Sequence, residues 1–308
     1  MRIASLVPSA TEALFALGLG GDVVAVTHEC DYPPEVAALP KLTSSLVDPD
    51  LRPAEIDRAV TAATASGGSL YELDGATLAE LRPDLIVTQA LCAVCAVSYD
   101  DVRAVAERLP SRPQVVSLDP TTLDGVLGDL ATLGEATGRP DTGTALRASL
   151  QRRLDSLRTG GNGVRPAGAG ERPGVLALEW LDPPYVAGHW IPEMIELAGG
   201  RDVLGESGGK SRTIGWRDAA AARPDVVVVM PCGLYVDEAA QQAAAYASEL
   251  SALGAAKVFA VDAAGSYSRP GPRLVDGAEL LAHLLHGDAY PAPAGLGFRE
   301  LTVPAAAG

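Results

Sequence analysis

The sequence predicts an α/β chain with two similar lobes, each built on a parallel sheet, joined by a long helical linker with a ligand cleft between the lobes. Three observations predict it. Short apolar runs alternate with helical stretches, the order that parallel α/β units require. The chain also repeats itself: Arg82-Pro-Asp-Leu-Ile-Val87 matches Arg223-Pro-Asp-Val-Val-Val228, and Gly20-Gly-Asp-Val-Val24 resembles Gly199-Gly-Arg-Asp-Val-Leu204. Finally, 308 residues at roughly 150 per domain make two domains.

The elements follow in order. Residues 3–7 form an apolar strand. Ser9-Ala-Thr-Glu12 reads as a capping box that opens a helix, with Leu14, Phe15 and Leu17 on its apolar face and the glycines of 18–21 ending it. A strand at 23–26 leads into the loop His28-Glu-Cys-Asp-Tyr-Pro-Pro34. A helix is expected at 77–81, then strands at 85–87 and 114–118. Asp119-Pro120 starts a helix with Leu123, Val126, Leu127, Leu130 and Leu133 at helical spacing. After Gly138-Arg-Pro140 a second stretch carries Leu146, Leu150, Leu154 and Leu157. The Gly-, Pro- and Arg-rich segment 159–173 reads as a loop. Strands follow at 175–178, 226–230 and 258–261, with a helix at 191–198 and a closing helix at 274–285. The expected division is an N-terminal lobe at 1–119, a helical linker at 120–158, a C-terminal lobe at 159–287 and a weakly ordered tail at 288–308.

Composition narrows the function. Hydrophobic residues make up 47% of the chain, enough for a core in each lobe. With 24 Lys and Arg against 39 Asp and Glu, the net charge is −15. That argues against a nucleic-acid partner, which needs a basic surface, and against electrostatic docking on an anionic membrane. No apolar run approaches the roughly 20 residues of a membrane helix, so no membrane insertion is expected. The N-terminus enters a strand directly, without a charged start, apolar stretch and cleavage site. The expectation is a cytoplasmic protein whose four cysteines are not structural disulfides.

Ligands of open parallel sheets sit beyond the carboxyl ends of the strands, and the chemistry-bearing residues cluster there. Cys30, Cys92, Cys95 and Cys232 each follow a predicted strand. Four thiolates suit zinc or an iron–sulfur cluster; the alternative is that some are small apolar loop residues. A thioredoxin-type use of Cys92-Ala-Val-Cys95 leaves the other two unexplained. Tyr32, Trp180, Tyr185, Trp190, Trp216 and Tyr267 also fall in strand-end loops, a set that includes all three tryptophans. Singly each reads as packing; together they favour a site for a flat or bulky ligand. Ser9, Gln89 and His189 join the candidate ligand-facing residues. His28, beside Glu29 and Cys30, is a candidate hydrogen-bonding partner for a ligating group, and His283 and His286 on the last helix are expected to be inert. Leu204-Gly-Glu-Ser-Gly-Gly-Lys-Ser211 nearly matches a phosphate-binding loop, but Leu204 stands where the first glycine is required. Neither a Gly-x-Ser-x-Gly elbow nor a dinucleotide fingerprint after the first strand is present.

In this order, Leu6-Val-Pro-Ser-Ala-Thr-Glu12, Asp31-Tyr-Pro-Pro34, Leu81-Arg-Pro-Asp-Leu-Ile-Val87, Pro183-Pro-Tyr-Val-Ala-Gly188 and Ser268-Arg-Pro-Gly-Pro-Arg273 resemble the class III solute-binding proteins of ABC importers, most closely the cobalamin-binding branch. The resemblance runs over about residues 2–286. It implies two Rossmann-like lobes bridged by one long helix, a rigid hinge and no catalysis. It also implies that Tyr32, Trp190, Trp216, Tyr267 and Arg269 neighbour the ligand. The chain departs from the family in showing no export signal or lipobox and in adding Cys30, Cys92, Cys95 and Cys232.

The sequence therefore favours a binding protein related to cobalamin and iron-chelate carriers. Its expected content is a small metal-containing group: a cysteine-ligated iron–sulfur cluster, zinc or another metal, or a corrinoid such as cobalamin. The alternatives are a cobalamin-binding protein of an ABC importer with an unseen signal, which alone calls for a permease partner, and a cluster-dependent cytoplasmic enzyme.

Overall fold

The computed structural model describes residues 1–48, 51–65, 70–90, 99–159 and 172–302. The chain divides into two compact units, Met1–Pro120 with Asp124–Ala148, and Thr121–Leu123 with Ser149–Gly308.

In the N-terminal unit the elements are β1 (Ile3–Ser5), α1 (Pro8–Ala16), β2 (Val23–Val26), β3 (Thr43–Ser45), α2 (Pro53–Ala65), β4 (Tyr71–Leu73), α3 (Gly75–Leu81), β5 (Leu85–Thr88), α4 (Tyr99–Ala106), β6 (Gln114–Ser117), α5 (Leu123–Ala136) and the first part of α6 (Pro140–Thr159). Four strands pair in the order β2-β1-β5-β6, all parallel, and β3 and β4 form a separate antiparallel pair. A parallel sheet covered on both faces needs strands that are apolar throughout. Accordingly β1 and β5 are buried along their whole length. On one face Ala4, Leu6 and Ile86 pack with Leu78, Val102 and Ala106.

Helix α1 starts earlier than its sequence indicates. Val7 is the N-cap and contributes no side-chain hydrogen bond; Pro8 holds the first helical position, where its fixed φ suits the turn. Ser9 therefore lies inside the first turn, and the expected capping box does not form. The C-terminal end is as expected: Gly18 takes φ +74°, and the Leu19 N–H donates to the Leu14 carbonyl at 2.9 Å.

The C-terminal unit continues with β7 (Gly174–Leu181), β8 (Pro184–Val186), α7 (Ile191–Leu197), β9 (Arg201–Asp202), β10 (Arg212–Thr213), α8 (Trp216–Ala221), β11 (Val226–Val229), α9 (Val236–Ala245), α10 (Ala247–Ala252), β12 (Lys257–Val261), α11 (Ala263–Ser266), α12 (Leu274–His286) and β13 (Phe298–Glu300). Its seven-stranded sheet runs β10-β8-β7-β11-β12-β13, with β9 also on β7. Strands β9, β7, β11 and β12 are parallel; β8, β10 and β13 are antiparallel to their neighbours. Leu176, Leu178, Val227 and Val229 centre the core and meet Ala219, Ala243 and Leu250 from the helices. The later part of α6 is fixed to α12 by Arg153, which donates to Glu279 at 2.9 and 2.6 Å and to Asp276.

The repeated Arg-Pro-Asp motif is one device used twice. Arg82 and Arg223 both take left-handed backbone, at φ +46° and +48°, and so end the preceding helices. The aspartate then clamps the start of the neighbouring strand. Asp84 accepts the Arg2 N–H on its carboxylate at 2.8 Å and donates its own N–H to the Arg2 carbonyl at 2.8 Å. Asp225 does the same with Gly174, at 2.6 and 2.8 Å. Arg112-Pro113 has the same left-handed turn, at φ +46°, before β6, but Gln114 replaces the aspartate.

The helical stretch after residue 120 is two helices, α5 and α6, parted where Gly138-Arg-Pro140 predicts a break, with Gly138 at φ +71°; the one long bridging helix that the resemblance implies is thereby divided. One expectation fails. The expected tail at 288–308 supplies β13, which pairs with β12. Phe298 sets its ring edge-on to Phe259, with centroids 6.2 Å apart, and so gives this polar segment an apolar anchor. The loop expected at 159–173 lies, except at its ends, outside the described residues.

Candidate functional site

The carboxyl ends of the N-terminal strands gather buried polar groups. Of nine buried polar or charged side chains among the described residues, eight belong to this unit, including Ser5, Ser9, Thr11, Thr27, Thr88 and Gln89. A buried hydroxyl must find a partner, and here the partners form a directed chain. Ser5 Oγ donates to the Val7 carbonyl at 3.2 Å, and Thr11 Oγ1 donates to Ser5 Oγ at 2.8 Å. Cys30 Sγ lies 3.1 Å from Thr11 Oγ1. Burial raises the Cys30 pKa, and the Thr11 hydrogen bond only partly offsets it. Burial therefore favours the protonated form of the Cys30 thiol.

His28 is similarly committed. Its backbone N–H donates to Thr43 Oγ1 at 3.1 Å, and its Nδ1 lies 2.7 Å from the same oxygen. Its Nε2 lies 3.2 Å from Glu29 Oε1. The ring ties the loop after β2 to β3. Tyr32, on that loop, remains 44% exposed. At the end of β6, Asp119 accepts the Ser117 hydroxyl at 2.7 Å and also the Ala90 N–H. Asp129 on α5 is pushed up to about 7, first by burial and then by the charge of Asp119.

The C-terminal unit presents aromatic side chains instead. Trp180 and Tyr185 face each other across the β7–β8 pair. The Trp180 indole N–H donates to the Asp182 carbonyl at 3.1 Å, and the Tyr246 hydroxyl donates to Asp182 Oδ2 at 3.1 Å. Tyr246 in turn stacks on Trp216, with ring centroids 6.4 Å apart and planes 23° apart. The half-buried rings of Trp180, Tyr185, Trp216 and Tyr246 thus gather around Asp182. Asp182 and Tyr246 are the members that sequence reasoning missed. Tyr246 sits in an alanine run, where a lone aromatic was the available signal.

A second group in this unit is structural in its bonding. Trp190 and Tyr267 are 5% and 2% exposed. The Trp190 indole donates to the Tyr267 carbonyl at 2.8 Å, and the Tyr267 hydroxyl donates to the Gly277 carbonyl at 3.0 Å. His189 takes left-handed backbone at φ +52° and stacks on Trp190 at 5.5 Å. Burial, then the charge of Lys210, holds its pKa below the usual value. Arg269 is half-buried two residues after Tyr267.

The phosphate-loop look-alike spends its amides internally. The Leu204 and Gly205 N–H groups go to Asp202 Oδ1 at 2.9 and 2.5 Å, and Gly208 donates to the His189 carbonyl at 2.9 Å. The Gly188 backbone packs so closely here that a Cβ would meet the Gly209 carbonyl oxygen at 2.5 Å. His283 and His286 are also engaged, each ring 2.8 Å from a backbone carbonyl, of Tyr290 and Ala198.

Cys30 follows β2 and Cys232 follows β11, as expected. Cys30 is buried and Cys232 exposed. Cys92 and Cys95 lie outside the described residues. Among the described residues no group of three or more His, Cys, Asp or Glu is arranged to hold a metal ion.

Comparison with known proteins follows the same lines. The chain is 24% identical to the vitamin B12-binding protein of Vibrio cholerae, over 90% of this chain and 86% of that one. It is also 24% identical to an uncharacterized ABC transporter substrate-binding lipoprotein of Bacillus subtilis, over 94% and 81% of the two chains. Among solved structures, a periplasmic heme-binding protein from Pseudomonas aeruginosa matches with a TM-score of 0.73 at 20% identity, covering 100% of this chain and 99% of that one. The periplasmic vitamin B12-binding protein of Vibrio cholerae matches with a TM-score of 0.64 at 22% identity, covering 92% and 96%. These two likenesses establish the shared two-lobe fold. Residues 3–264 match the family described as periplasmic binding protein, and it is to this family that the chain belongs.

Proposed function

We propose that this protein is a non-enzymatic solute-binding protein whose ligand is a metal-bearing tetrapyrrole, with a corrinoid of the cobalamin type as first choice. The observation that carries the reading is the aromatic group around Asp182. Flat rings of the size of Trp180 and Trp216 bury a large apolar area against an extended macrocycle, and the Asp182 carboxylate offers an acceptor to peripheral amides. The names of the relatives support the same class, since they bind vitamin B12 or heme. A cysteine-ligated cluster draws no such support from the names of the relatives.

The test is a titration of the purified chain with cyanocobalamin and, separately, with hemin, followed by equilibrium dialysis. Cyanocobalamin is expected to bind one to one. Trp216→Ala and Trp180→Ala should each weaken it by roughly tenfold or more, and Cys92→Ser should leave it unchanged. Failure of both ligands to bind at about 100 µM refutes the reading. An ABC permease partner belongs with export, and a holding role belongs with the cytoplasmic placement read from the sequence. Fractionation of native cells distinguishes the two.

A further inference from the structure

Among the described residues, the sheet of the N-terminal unit ends at β6. The Gln114 N–H donates to the Asp84 carbonyl and the Leu118 N–H to the Thr88 carbonyl, each at 2.9 Å. Alternate residues of a strand direct their main-chain groups to one side. Gln114 and Val116 therefore face β5, and Val115 and Ser117 turn their N–H and C=O groups outward, where no described residue pairs with them. The opposite edge is closed at its end: Val26 donates to the Pro40 carbonyl at 3.0 Å and accepts from the Leu42 N–H at 2.8 Å. Natural edges are blunted by charge, proline, a bulge or a cover. Strand β6 reads Gln-Val-Val-Ser, with no charge, proline or register shift, and it is partly exposed where β5 is buried throughout.

A groove of about 450 Å³ runs beside this edge. Its helical wall is Tyr99, Arg103 and Glu107, a stripe at four-residue spacing on one helix face. Arg112, Pro113 and Val115 line the strand side. Arg103 and Glu107 are exposed and pair at 3.2 Å. Ala106 and Val115 pack in one cluster, so α4 stands over the middle of the strand.

We propose that β6 and this stripe form a dimer interface whose occupant is a second copy of the chain, joined edge to edge about a two-fold axis at Val116. The edge is self-complementary in its main chain. Antiparallel strands exchange hydrogen bonds where outward groups meet. An axis at Val116 sets Val115 opposite the partner's Ser117 and Ser117 opposite the partner's Val115, so every outward group of the strand gains a partner. The axis also keeps the two α4 helices on one face, side by side and antiparallel. The turn from Arg103 to Glu107 then meets its own copy reversed, with Arg103 beside the partner's Glu107 and Glu107 beside the partner's Arg103. Opposite charges meet twice, and each helix fills the other's groove. The interface uses no residue assigned to the solute and stands independently of that proposal.

The test is sedimentation equilibrium of the full chain from about 5 to 200 µM at physiological ionic strength. A monomer–dimer equilibrium is expected. Arg103→Glu and, separately, Glu107→Arg set like charges against each other and should each weaken the dimer by about tenfold or more. Both positions are exposed, so the fold should lose only a few tenths of its like-charge tolerance in the melting curve. Mixing the two variants restores opposite charges across the axis, and the mixture should dimerise where neither does alone. Val115→Pro removes an outward N–H that holds nothing within the chain, and it should weaken the dimer while the monomer stays folded. Arg152→Glu, an exposed charge reversal on α6, should alter nothing. A chain that stays monomeric at about 200 µM overturns the proposal. So does a dimer that Arg103→Glu, Glu107→Arg and Val115→Pro all leave intact, or a mixture of the two charge variants that fails to associate.

Discussion

The two units carry the same parallel four-strand core and differ at its carboxyl ends. In the N-terminal unit β2, β1, β5 and β6 lie side by side; in the C-terminal unit β9, β7, β11 and β12 repeat that order. Both cores are clamped by an Arg-Pro-Asp turn. The difference lies along the outer side of the first strand. Strand β2 runs beside β1 throughout, whereas β9 covers only the start of β7, at Gly174 and Val175. The rest of β7 is taken by the antiparallel β8, and that hairpin carries Trp180, Asp182 and Tyr185. One scaffold thus ends in hydroxyls and carboxylates on one side and in aromatic rings on the other. The core sets the positions, and the insertion sets the chemistry.

The comparison can be broken most severely at the hairpin. Gly188→Ala pushes a methyl into the Gly209–Ser211 backbone and should destabilise the protein by about 2–4 kcal/mol in urea unfolding. A cost near zero would show that the segment after β8 is not held against that loop.

The acidic end of the N-terminal unit gives the next largest effect. The folded-state pKa of Asp129 is raised from 3.8 to about 7, so the native state binds its proton more tightly than the unfolded chain. That stabilisation is fully present below pH 4 and is lost as pH rises through about 7. Asp129→Asn should match the parent at pH 4 and exceed its stability by about 1–3 kcal/mol at pH 8, after allowance for partial solvent exposure. Parallel stability curves for the two proteins would contradict the assignment.

Smaller effects test the shared frame. Asp84→Ala and Asp225→Ala each remove one side-chain hydrogen bond to a strand start, and each should cost about 1–2 kcal/mol by chemical denaturation. Unequal losses would mean that the two turns are not equivalent. Relief of the left-handed backbone at Arg82→Gly and Arg223→Gly should be smallest, a gain below about 1 kcal/mol, because glycine's greater unfolded freedom offsets most of the strain.

The repeat was legible because its physics is local. A helix end, a proline and a clamping aspartate fit within a few residues, so Arg82 and Arg223 declare the frame. The third turn, at Arg112, escaped because Gln114 replaces the aspartate. Strands β8, β9 and β10 have two or three residues each, too few for any periodicity; β8 and β9 form because β7 offers an edge, and β10 because β8 does. Helix α2 has no buried side chain among those described, so its pattern carries little signal. At the candidate sites the strand-end placement of Cys30 could be read. Trp180, however, lies within β7, paired with Tyr185 of β8, and Trp216 opens α8, so neither sits in a strand-end loop. The partners of all three could not be read. Thr11 lies nineteen residues before Cys30, and Asp182 meets Tyr246 from sixty-four residues away. Cys30 itself is a thiol in a hydrogen-bond chain, a state favoured by burial and invisible in spacing.

All three tryptophans, Trp180, Trp190 and Trp216, lie in the C-terminal unit. Intrinsic emission excited at the indole band is therefore an optical channel for one half of the chain. Trp190, buried and hydrogen-bonded, supplies a constant background. Trp180 and Trp216 are half-buried, and a coloured macrocycle stacked near them would quench by energy transfer. Far-ultraviolet dichroism, in contrast, follows the helices of both units. Unfolding recorded by the two signals will coincide if the units melt together and separate if they do not, so the native chain reports its own cooperativity without a label.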